Sequence, residues 1–396
     1  MSAGDASAPA GSAPPASASE EVQRLLRPDL RGRTAYGAPQ LDVPVRLNTN
    51  ENSYPVPQVV VDAVLAALAD DVASLNRYPD REFTDLRKAL TAYLEKQSGV
   101  SVTPEQVWAG NGSNEVLAHV IQAFGGHGRT ALGFTPSYSM HPIISETHGM
   151  RWVDGLRSAA TAPDAFDLTP ESAAAQAREH DPSVVFLCSP NNPTGTALPF
   201  EVIGAVLEAA PNAIVVVDEA YAEFARPGTR SALTLVAEHP PRLVVTRTMS
   251  KAFAFAGGRL GYLVAAPELV DALRLVRLPY HLSSPTQTIA RVALEHADVM
   301  LGTVEVIKHQ RDRIVERLAE LGARPVASDS NFVLFGGLRD EKATWQALLD
   351  EGVLVRDMNI AHHLRVTAGD PAETTSFLEA MTRLAPTHVE REDRQA

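Results

Sequence analysis

The spacing of apolar residues changes along the chain and divides it into stretches of different kinds. Apolar residues recur at helical spacing in "PQVVVDAVLAALADDVASL" and in "REFTDLRKALTAYLEKQSG", which ends at Gly99. These stretches predict two amphipathic helices on either side of "NRYPD". From Val107 to about Leu263, short β-branched runs alternate with polar loops and helical stretches. This alternation predicts strands that are buried on both faces of a mostly parallel sheet.

A different pattern begins after "LPYHLSSPTQTIA". Residues 289–321 predict a long amphipathic helix, and the short strands "SNFVLF", "GVLVRD" and "HLRVTAG" follow it. Short strands with helices on one side predict a smaller α+β domain. The chain is therefore predicted to be an α/β protein, with a large domain over residues 59–285 and a small C-terminal domain over residues 286–396. The turn-rich residues 31–58 are predicted to be an N-terminal arm that joins the small domain.

The start of the chain has a composition of its own. "MSAGDASAPAGSAPPASASE" contains mainly Ala, Ser, Pro and Gly, which predicts a disordered tail over residues 1–30. The tail has neither the basic region nor the apolar region of a signal peptide. No apolar run reaches the length of a membrane span, so we expect a cytoplasmic protein that does not enter a membrane.

Charge and cysteine content exclude several classes of function. The 396 residues carry a net charge of −13, which argues against nucleic-acid binding because that binding depends on clustered Lys and Arg. The single cysteine, Cys188, excludes an intramolecular disulfide and a cysteine-based metal cluster, and it fits a reducing compartment. His362 and His363 have no third ligand at a suitable spacing, so no metal site is expected.

Polar motifs follow the predicted strands, where parallel sheets place their ligands. Lys251 of "TMSK" begins a predicted helix, where its charge opposes the helix dipole unless an anion is close or the amine is neutral. Thr248, Ser250 and Arg259 supply hydrogen-bond donors that suit a phosphate. Asp218 follows the run "AIVVV" and could either cap a helix or hold a ring nitrogen protonated.

Three further motifs are ambiguous when each is taken alone. "GNGSNE" is a Gly-rich turn that could offer backbone N–H groups to phosphate, and Asn192 of "SPNNPTG" could present an amide to a planar ligand. Tyr138 could pack in the core or stack on a flat ring, and His141 could line the pocket or only pack. Together the motifs describe a ligand with a phosphate, an aromatic nitrogen, a phenolic oxygen and an aldehyde that reacts with an amine. That ligand is pyridoxal 5′-phosphate.

An ordered series of motifs resembles the fold-type-I aminotransferases, and within them most closely the bacterial histidinol-phosphate aminotransferases. The series covers nearly the whole chain after the tail and includes "LNTNEN", "LNRYPD", "FTPSYSMHP", "SPNNPTG", "VDEAY", "TRTMSKAFAFAGGRLGY", "LPYHLSS" and "LRVTAG". The resemblance implies a homodimer that depends on pyridoxal phosphate. Such an enzyme moves an amino group from histidinol phosphate to 2-oxoglutarate, giving imidazole acetol phosphate and glutamate, and histidine biosynthesis uses the reverse direction.

The resemblance also implies roles for the matched residues. The catalytic residues would be Lys251, as the Schiff-base lysine, Asp218, as the partner of the pyridine nitrogen, and Tyr221. Tyr221 and Asn192 would contact the 3′ oxygen of the cofactor. The other cofactor contacts within the same chain would come from the phosphate donors and the stacking tyrosine: Ser113, Asn114, Tyr138, Ser250 and Arg259.

Contacts from a second subunit and contacts to the substrate complete the implied site. Tyr78 of "LNRYPD" would reach the cofactor phosphate of the neighbouring subunit, so that each active site is shared. Arg365 of "LRVTAG" would bind the anionic group of the substrate, with Arg356 and Tyr54 close to it. Two stretches depart from the family pattern: "RDMNIAHHLR" is shorter than in many relatives, and "NENSYP" stands where Asn-Glu-Asn-Pro is usual.

Three alternatives remain open at this point. An aromatic amino acid aminotransferase would have the same scaffold and would use Arg365 for carboxylates only. A lyase similar to threonine-phosphate decarboxylases would share the cofactor site but would consume no oxo acid. A transcription regulator with an aminotransferase-like domain would need an N-terminal winged helix, which residues 1–30 cannot form.

Overall fold

The computed structural model describes residues 20–159, 165–239 and 241–390. Within these ranges the helices are α1 (Glu20–Leu25), α2 (Gln58–Ser74), α3 (Thr84–Ser98), α4 (Ser113–Phe124), α5 (Met140–Thr147), α6 (Pro170–His180), α7 (Phe200–Ala209), α8 (Pro267–Leu273), α9 (Ser284–Glu295), α10 (Ala297–Met300), α11 (Val304–Glu320), α12 (Glu341–Asp350) and α13 (Pro371–His388). The strands are β1 (Val45–Arg46), β2 (Val107–Gly110), β3 (Thr130–Thr135), β4 (Arg151–Leu156), β5 (Val184–Cys188), β6 (Ile214–Asp218), β7 (Leu243–Thr248), β8 (Gly261–Val264), β9 (Arg324–Pro325), β10 (Phe332–Gly336), β11 (Val353–Leu354), β12 (Arg356–Asp357) and β13 (Leu364–Thr367).

The predicted mostly parallel sheet is confirmed. Seven strands pair in the order β2-β8-β7-β6-β5-β3-β4. All neighbouring pairs from β7 to β4 are parallel, and only β8 runs antiparallel to both of its neighbours. β5 and β7 are buried along their whole length, as expected for apolar strands that helices cover on both faces.

The two predicted helices around "NRYPD" are α2 and α3. The start of α3 is fixed by the carboxylate of Asp80, which accepts hydrogen bonds from the backbone N–H groups of Thr84 (2.7 Å) and Glu82 (2.9 Å). The helix ends at Gly99, which has a φ of 69°. That left-handed conformation suits glycine because it has no Cβ, so the predicted end of the helix is confirmed.

The predicted single helix over residues 289–321 is wrong. The chain instead forms α9, α10 and α11, and residues 301–303 form a 3-10 turn before the third helix. The first break lies at His296, whose φ of −106° is not helical and whose ring Nδ1 lies 2.9 Å from the carbonyl oxygen of Val292. A side chain that bonds a carbonyl in the last turn competes with the helical ladder and ends the helix.

The buried apolar residues form two hydrophobic cores. The first surrounds the seven-stranded sheet, and the second surrounds a four-stranded sheet. Four strands pair in the antiparallel order β12-β13-β10-β9, and β1 of the predicted arm pairs in parallel with β11. Leu47, just after β1, packs into this second core with residues of α11, α13 and the four-stranded sheet. The arm is thereby fixed to the C-terminal part of the chain.

The predicted domain boundaries can be compared with the packing. The first core continues to Met300, and α9 packs against α2 and α3. This packing favours a boundary later than the predicted one between residues 285 and 286, and the division into domains stays a prediction. Of the predicted tail, residues 1–19 lie outside the described residues. Residues 20–25 form α1, because the side chain of Arg31 donates to the carbonyl oxygens of Arg24 and Leu26 at its end.

Candidate active site

A cavity of about 180 Å³ lies at the carboxyl ends of β5, β6 and β7. Each of the predicted site residues lines this cavity except Tyr78 and Tyr54. The arm and the second core close it on the side opposite the large sheet. The lining residues come from well-separated parts of the chain: Tyr36, Ala38, Asn48, Thr49, Asn50, Ser113, Asn114, Tyr138, Ser139, Cys188, Asn192, Asp218, Ala220, Tyr221, Thr248, Ser250, Lys251, Arg259, Arg356, Met358 and Arg365.

Asp218 is a buried carboxylate at the end of β6. Its Oδ1 accepts a hydrogen bond from the hydroxyl of Thr246 on β7 at 3.1 Å, and its Oδ2 lies 3.2 Å from Nε2 of His141. Among the described residues, His141 is the only basic side chain within 4.0 Å of this carboxylate. A buried carboxylate is stable only when donors or a cation compensate it, so this carboxylate is suited to bind a protonated ring nitrogen.

His141 lies behind Asp218. The sequence left open whether this residue lines the pocket or only packs. Its ring stacks on Phe186 at a centroid distance of 4.5 Å and meets the ring of Tyr138 edge to face at 5.3 Å. Packing from two sides fixes the imidazole next to Oδ2 of Asp218. His141 thus orients the carboxylate without lining the cavity.

Lys251 follows β7 in the turn that leaves the sheet. Its Nζ donates to the backbone oxygen of Thr49 at 3.1 Å. Burial, as the main cause, and the positive charges of Arg365 and Arg259 together lower the pKa of Lys251 to about 8, while Glu51 opposes the shift. A neutral amine, which is the nucleophilic and basic form, is therefore accessible close to neutral pH.

Hydrogen-bond donors for an anion meet at the start of α4. Ser113 and Asn114 are the first residues of this helix, and Arg259 reaches the same place, with Nη2 3.4 Å from the backbone oxygen of Asn111. Gly112 and Gly261 make this approach possible, because a Cβ on the first would collide with the Arg259 guanidinium and a Cβ on the second with the backbone of Ser113. A helix N-terminus with an arginine beside it is a site for phosphate.

The hydroxyls of the turn after β7 complete this group of donors. The backbone N–H of Ser250 donates to Oγ1 of Thr248 at 3.1 Å, which holds both side chains at the cavity wall. Tyr138 lies above Asn114 and donates its hydroxyl proton to Oδ1 of Asn114 at 3.3 Å. The tyrosine ring is thereby fixed between the phosphate donors and Asp218.

Tyr221 and Asn192 form the wall opposite Tyr138. The amide nitrogen of Asn192 lies 3.4 Å from the hydroxyl oxygen of Tyr221, and the amide nitrogen of Asn50 lies 3.0 Å from the same oxygen. Burial raises the pKa of Tyr221, so its hydroxyl stays protonated. A flat ligand between these walls would meet a phenol and an amide at its edge.

Two arginines face the cavity from the second core. Arg356 on β12 and Arg365 on β13 stand directly opposite each other in the sheet register. Burial, as the main cause, and the charge of Arg356 together lower the pKa of Arg365 to about 10, while Tyr221 opposes the shift. Like charges on opposite strands repel, so an anion between them would stabilise the sheet.

Arg365 has hydrogen-bonding capacity left over. Its Nη1 donates to Oδ1 of Asn192 at 2.5 Å, its Nη2 donates to the backbone oxygen of Asn48 at 2.8 Å, and its guanidinium lies 5.0 Å from the ring centroid of Phe332. Its buried Nε has no hydrogen-bond partner in the described part of the chain. A buried donor without a partner is costly, and an anionic ligand would offer it an acceptor.

The chemistry of the donor set fits pyridoxal phosphate. An amine with a lowered pKa, a buried carboxylate that lacks a cation, and a glycine-lined group of phosphate donors surround one cavity. In the described residues, no group of three or more metal-binding side chains occurs. No helix there is both long and apolar enough to cross a membrane.

The structure does not bring Tyr78 and Tyr54 to the cavity. Tyr78 is 80% exposed and stacks on Tyr280 at a centroid distance of 4.4 Å. Tyr54 packs against the second core. The role of Tyr78 in a second subunit stays a prediction, as does the proposed substrate contact of Tyr54.

Sequence reasoning missed the lining residues of the arm, above all Tyr36 and Asn50. Asn50 stands in "LNTNEN", which was noted only as a family motif. Tyr36 lies in a turn-rich stretch without any local pattern, and Arg356 lies 6.0 Å from its ring centroid. Only the pairing of β1 with β11, which draws the arm to the second core, reveals that these residues face the cavity.

Comparisons with known proteins show the family to which the chain belongs. Residues 43–381 match the family Aminotransferase class I and II. The chain is 56% identical to the histidinol-phosphate aminotransferase of Paenarthrobacter aurescens (strain TC1) over 92% of this chain and 97% of that protein. It is 57% identical to the histidinol-phosphate aminotransferase of Frankia casuarinae over 90% of this chain and 89% of that protein.

A solved structure supports the same fold. The histidinol-phosphate aminotransferase of Sinorhizobium meliloti in complex with pyridoxal-5′-phosphate superimposes with a TM-score of 0.76 at 24% identity, over 87% of this chain and 92% of that chain. This likeness confirms the predicted fold, that of the fold-type-I aminotransferases. The chain belongs to the class I and II aminotransferases, and within them to the histidinol-phosphate aminotransferases.

Proposed function

We propose that this enzyme transfers an amino group between histidinol phosphate and 2-oxoglutarate, with pyridoxal phosphate as its cofactor, in histidine biosynthesis. The names of relatives that share more than half of their residues with this chain support the reaction. The observation that carries the proposal is the pair of arginines, Arg356 and Arg365, which face the same cavity as the amine of Lys251. This arrangement suits a substrate that has an amine at one end and a dianion at the other.

The residues of the large sheet would hold the cofactor. Ser113, Asn114, Ser250 and Arg259 would bind its phosphate, and Tyr138 would cover one face of its ring. Pyridoxal phosphate, when bound, supplies an aldehyde that bonds to amines and a ring that stabilises negative charge on the carbon next to the bound nitrogen.

Asp218 and Tyr221 would orient the ring and set its charge. The carboxylate of Asp218 would accept a hydrogen bond from the protonated ring nitrogen, and the charge on that nitrogen is what makes the ring withdraw electrons. Tyr221 and Asn192 would donate to the 3′ oxygen. Each of these side chains has hydrogen-bond partners within the chain. Each also keeps one hydrogen-bonding position free on the side of the cavity.

Lys251 would be the base and the acid of the reaction. Its amine, with a pKa near 8, would take a proton from the substrate carbon that bears the nitrogen. It would return a proton to the carbon on the other side of that nitrogen. Tyr36 and Tyr138 bound the cavity around it and reduce the access of water.

Both substrates present anions to the arginine pair. Histidinol phosphate has a phosphate monoester where an amino acid has its carboxylate, and 2-oxoglutarate has carboxylates only. A guanidinium binds either group with two parallel hydrogen bonds. The buried Nε of Arg365 supplies one such donor, and Arg356 adds the second charge that favours a dianion over a monoanion.

We further propose a homodimer with shared active sites, in the cytoplasm. Large apolar residues are exposed on α2 and on residues 275–280, and the stacking of Tyr78 on Tyr280 joins these two surfaces: Val59, Leu65, Val72, Leu75, Tyr78, Leu275, Leu278 and Tyr280. Apolar surface of this kind is typical of a subunit interface. A single cysteine fits a reducing compartment.

The sharing of sites can be tested by mixing subunits. Tyr78→Phe chains and Lys251→Ala chains are each expected to be impaired, and heterodimers of the two would contain one site free of both changes. Activity should therefore return on mixing, in proportion to the subunit exchange measured by native mass spectrometry. Verified exchange without any gain in activity would place the role of Tyr78 within its own chain.

The reaction is tested by half-reactions of the purified enzyme loaded with pyridoxal phosphate. Histidinol phosphate should convert the cofactor to its amine form with a kcat/KM well above that of phenylalanine, and 2-oxoglutarate should restore the aldehyde form. A preference for phenylalanine would favour an aromatic aminotransferase. Release of carbon dioxide without any need for 2-oxoglutarate would favour a lyase.

A further inference from the structure

Asn50, a residue of the arm, reaches the phenol of Tyr221 across 171 positions of sequence. Its Nδ2 lies 3.0 Å from the hydroxyl oxygen of Tyr221, and Nδ2 of Asn192 lies 3.4 Å from the same oxygen. Asn50 is only 1% exposed, and its φ of 55° is left-handed, a conformation in which asparagine is among the more common residues.

The orientation of the Asn50 amide is fixed by its neighbours. The backbone N–H of Asn50 donates to Oγ1 of Thr367 at 3.0 Å, and the hydroxyl of Thr367 donates back to Oδ1 of Asn50 at 3.1 Å. With Oδ1 accepting from Thr367, Nδ2 is the atom of the amide that faces Tyr221. Asn331 donates to the backbone oxygen of Asn50 at 3.1 Å and fixes the main chain.

The second amide is oriented in the same way. Oδ1 of Asn192 accepts from Nη1 of Arg365, and an arginine can only donate, so Nδ2 of Asn192 also faces the phenol. Two N–H groups thus occupy the acceptor positions of the Tyr221 oxygen. In the part of the chain that the structure describes, no acceptor lies within hydrogen-bonding distance of its O–H group, and the remaining direction is toward the cavity.

We infer that Asn50 is a positioning residue, whose amide directs the hydroxyl proton of Tyr221 into the cavity, toward the 3′ oxygen of the cofactor. This inference rests on the proposed function, because it needs pyridoxal phosphate in the cavity. Thr367 lies on β13 and Asn331 directly precedes β10, so the proton of Tyr221 points correctly only when the arm and the four-stranded sheet are both in place.

The groups around Tyr221 set the background for this contact. Asn50 and the positive charge of Arg365 lower the pKa of Tyr221, whereas burial, Cys188 and Asp218 raise it. Burial is the largest of these effects, so the phenol remains a donor. Loss of the Asn50 amide would free the hydroxyl to rotate, and its hydrogen bond to the 3′ oxygen would weaken.

The test uses the absorbance of the bound cofactor as a function of pH. A donor to the 3′ oxygen stabilises negative charge there, so it lowers the pH at which the nitrogen joining the cofactor to Lys251 loses its proton. Asn50→Ala should raise that midpoint by about 0.5 unit or more, the size expected for one lost hydrogen bond. Asn50→Asp, which keeps the shape but replaces the donor by an acceptor, should raise it at least as far.

Two controls make the test specific. Asn52→Ala removes a nearby amide that bonds the backbone oxygen of Ala252 and the hydroxyl of Thr303 instead of Tyr221, and its midpoint should stay at the wild-type value. In a Tyr221→Phe background, Asn50→Ala should cause no further shift, because the phenol through which it acts is gone. Cofactor content and the Tm of each variant would show that it is folded and loaded.

The outcomes separate this inference from the proposed function. A wild-type enzyme that does not take up pyridoxal phosphate at Lys251 would contradict the proposed function itself. A loaded enzyme in which Asn50→Ala and Asn52→Ala give the same midpoint, or in which the Asn50→Ala shift persists without the Tyr221 hydroxyl, would overturn the positioning role alone.

Discussion

Asp218 and Glu219 are consecutive and both buried, yet their surroundings differ completely. Glu219 accepts hydrogen bonds from Nη2 (2.8 Å) and Nε (3.1 Å) of Arg247, from the hydroxyl of Ser231 (2.7 Å) and from the backbone N–H of Ala232 (2.6 Å). The carboxylate of Asp218 makes hydrogen-bond contacts only with the hydroxyl of Thr246 and the imidazole of His141 among the described side chains. The two side chains point to opposite faces of the strand end, as alternation along a strand requires.

The buried arginines differ in the same way. Arg247 lies between two carboxylates, 2.8 Å from Glu219 and 3.5 Å from Glu223, and these charges raise its pKa against the effect of burial. Arg365 faces another arginine and has a buried Nε without a partner in the described residues. The first network holds the fold together, whereas the second needs a ligand to complete it.

This contrast separates structural charges from functional charges without reference to any relative. A buried charge whose hydrogen bonds are all satisfied should affect stability when it is changed. A buried charge that lacks a counter-charge should affect binding and rate, and its removal should leave stability unchanged or raise it.

The largest effect is expected for Lys251, on the functional side of the contrast. Lys251→Ala removes both the group that bonds the cofactor and the base, so kcat should fall by about 10⁴-fold or more. The free energy of unfolding of the apoenzyme should not fall, because the lost charge is disfavoured by burial. Steady-state kinetics and urea unfolding give the two values, and appreciable turnover by the variant would contradict the role of the lysine.

The opposite result is expected for Glu219. Glu219→Gln leaves the buried guanidinium of Arg247 without its main partner, and breaking a buried pair costs about 3–5 kcal/mol. Urea unfolding measures this loss. The folded fraction should bind pyridoxal phosphate with the wild-type absorbance spectrum, and a changed spectrum would mean that this network also acts on the site.

Asp218→Asn is the matched change one residue earlier. The amide keeps the shape and loses the charge that would hold the ring nitrogen protonated, so kcat should fall by about 10²- to 10³-fold with the cofactor still bound. Stability should change by less than in Glu219→Gln, since the variant leaves no buried cation unpaired. Near wild-type turnover would reduce Asp218 to a capping residue.

Local pattern was enough to predict which polar residues lie at the strand ends. Asp218 follows an apolar run directly and Lys251 comes three positions after the end of β7, so the strands, their ends and the polar residues beyond them could be predicted from a few neighbouring positions. The helix end at Gly99 was predictable for the same reason. The seven-stranded sheet follows from the repetition of this pattern.

Contacts between distant parts of the chain could not be predicted from local pattern. Asn50 bonds Tyr221 from 171 positions away, and His141 bonds Asp218 from 77 positions away. Periodicity did not reveal the break at His296, because the apolar spacing continues into α11 while one side chain bonds the backbone. The difference between Asp218 and Glu219 is likewise visible only when the strand faces are known.

The arginine pair gives a smaller and more specific effect. Arg356→Ala leaves Arg365 in place but removes the charge opposite it, and a dianionic phosphate gains more from that charge than a monoanionic carboxylate does. The kcat/KM for histidinol phosphate should fall about 10- to 100-fold, the effect expected for the loss of one charged hydrogen bond. The kcat/KM for phenylalanine should fall less. An equal loss of kcat/KM for both amino donors would favour the aromatic aminotransferase.

The smallest effect concerns the ionisation of Lys251 in the apoenzyme. Its pKa is about 8 in the folded chain against an ordinary value of 10.5, and burial is the main cause. Between these two values the unfolded chain holds more protons than the folded chain, so this lysine destabilises the fold below pH 8 and ceases to do so as pH rises to 10.5.

Acetylation of Lys251 by a trace of acetic anhydride, quantified by mass spectrometry with exposed Lys88 as the internal control, should accelerate with a midpoint near pH 8. Arg365→Met should move that midpoint upward, because Arg365 is the charge that lowers the pKa of the amine most, whereas the matched change Arg247→Met, in the satisfied network, should not. A midpoint that stays near pH 8 in Arg365→Met would show that burial alone sets the pKa of Lys251, and the contrast between the two arginines would then not extend to the catalytic amine.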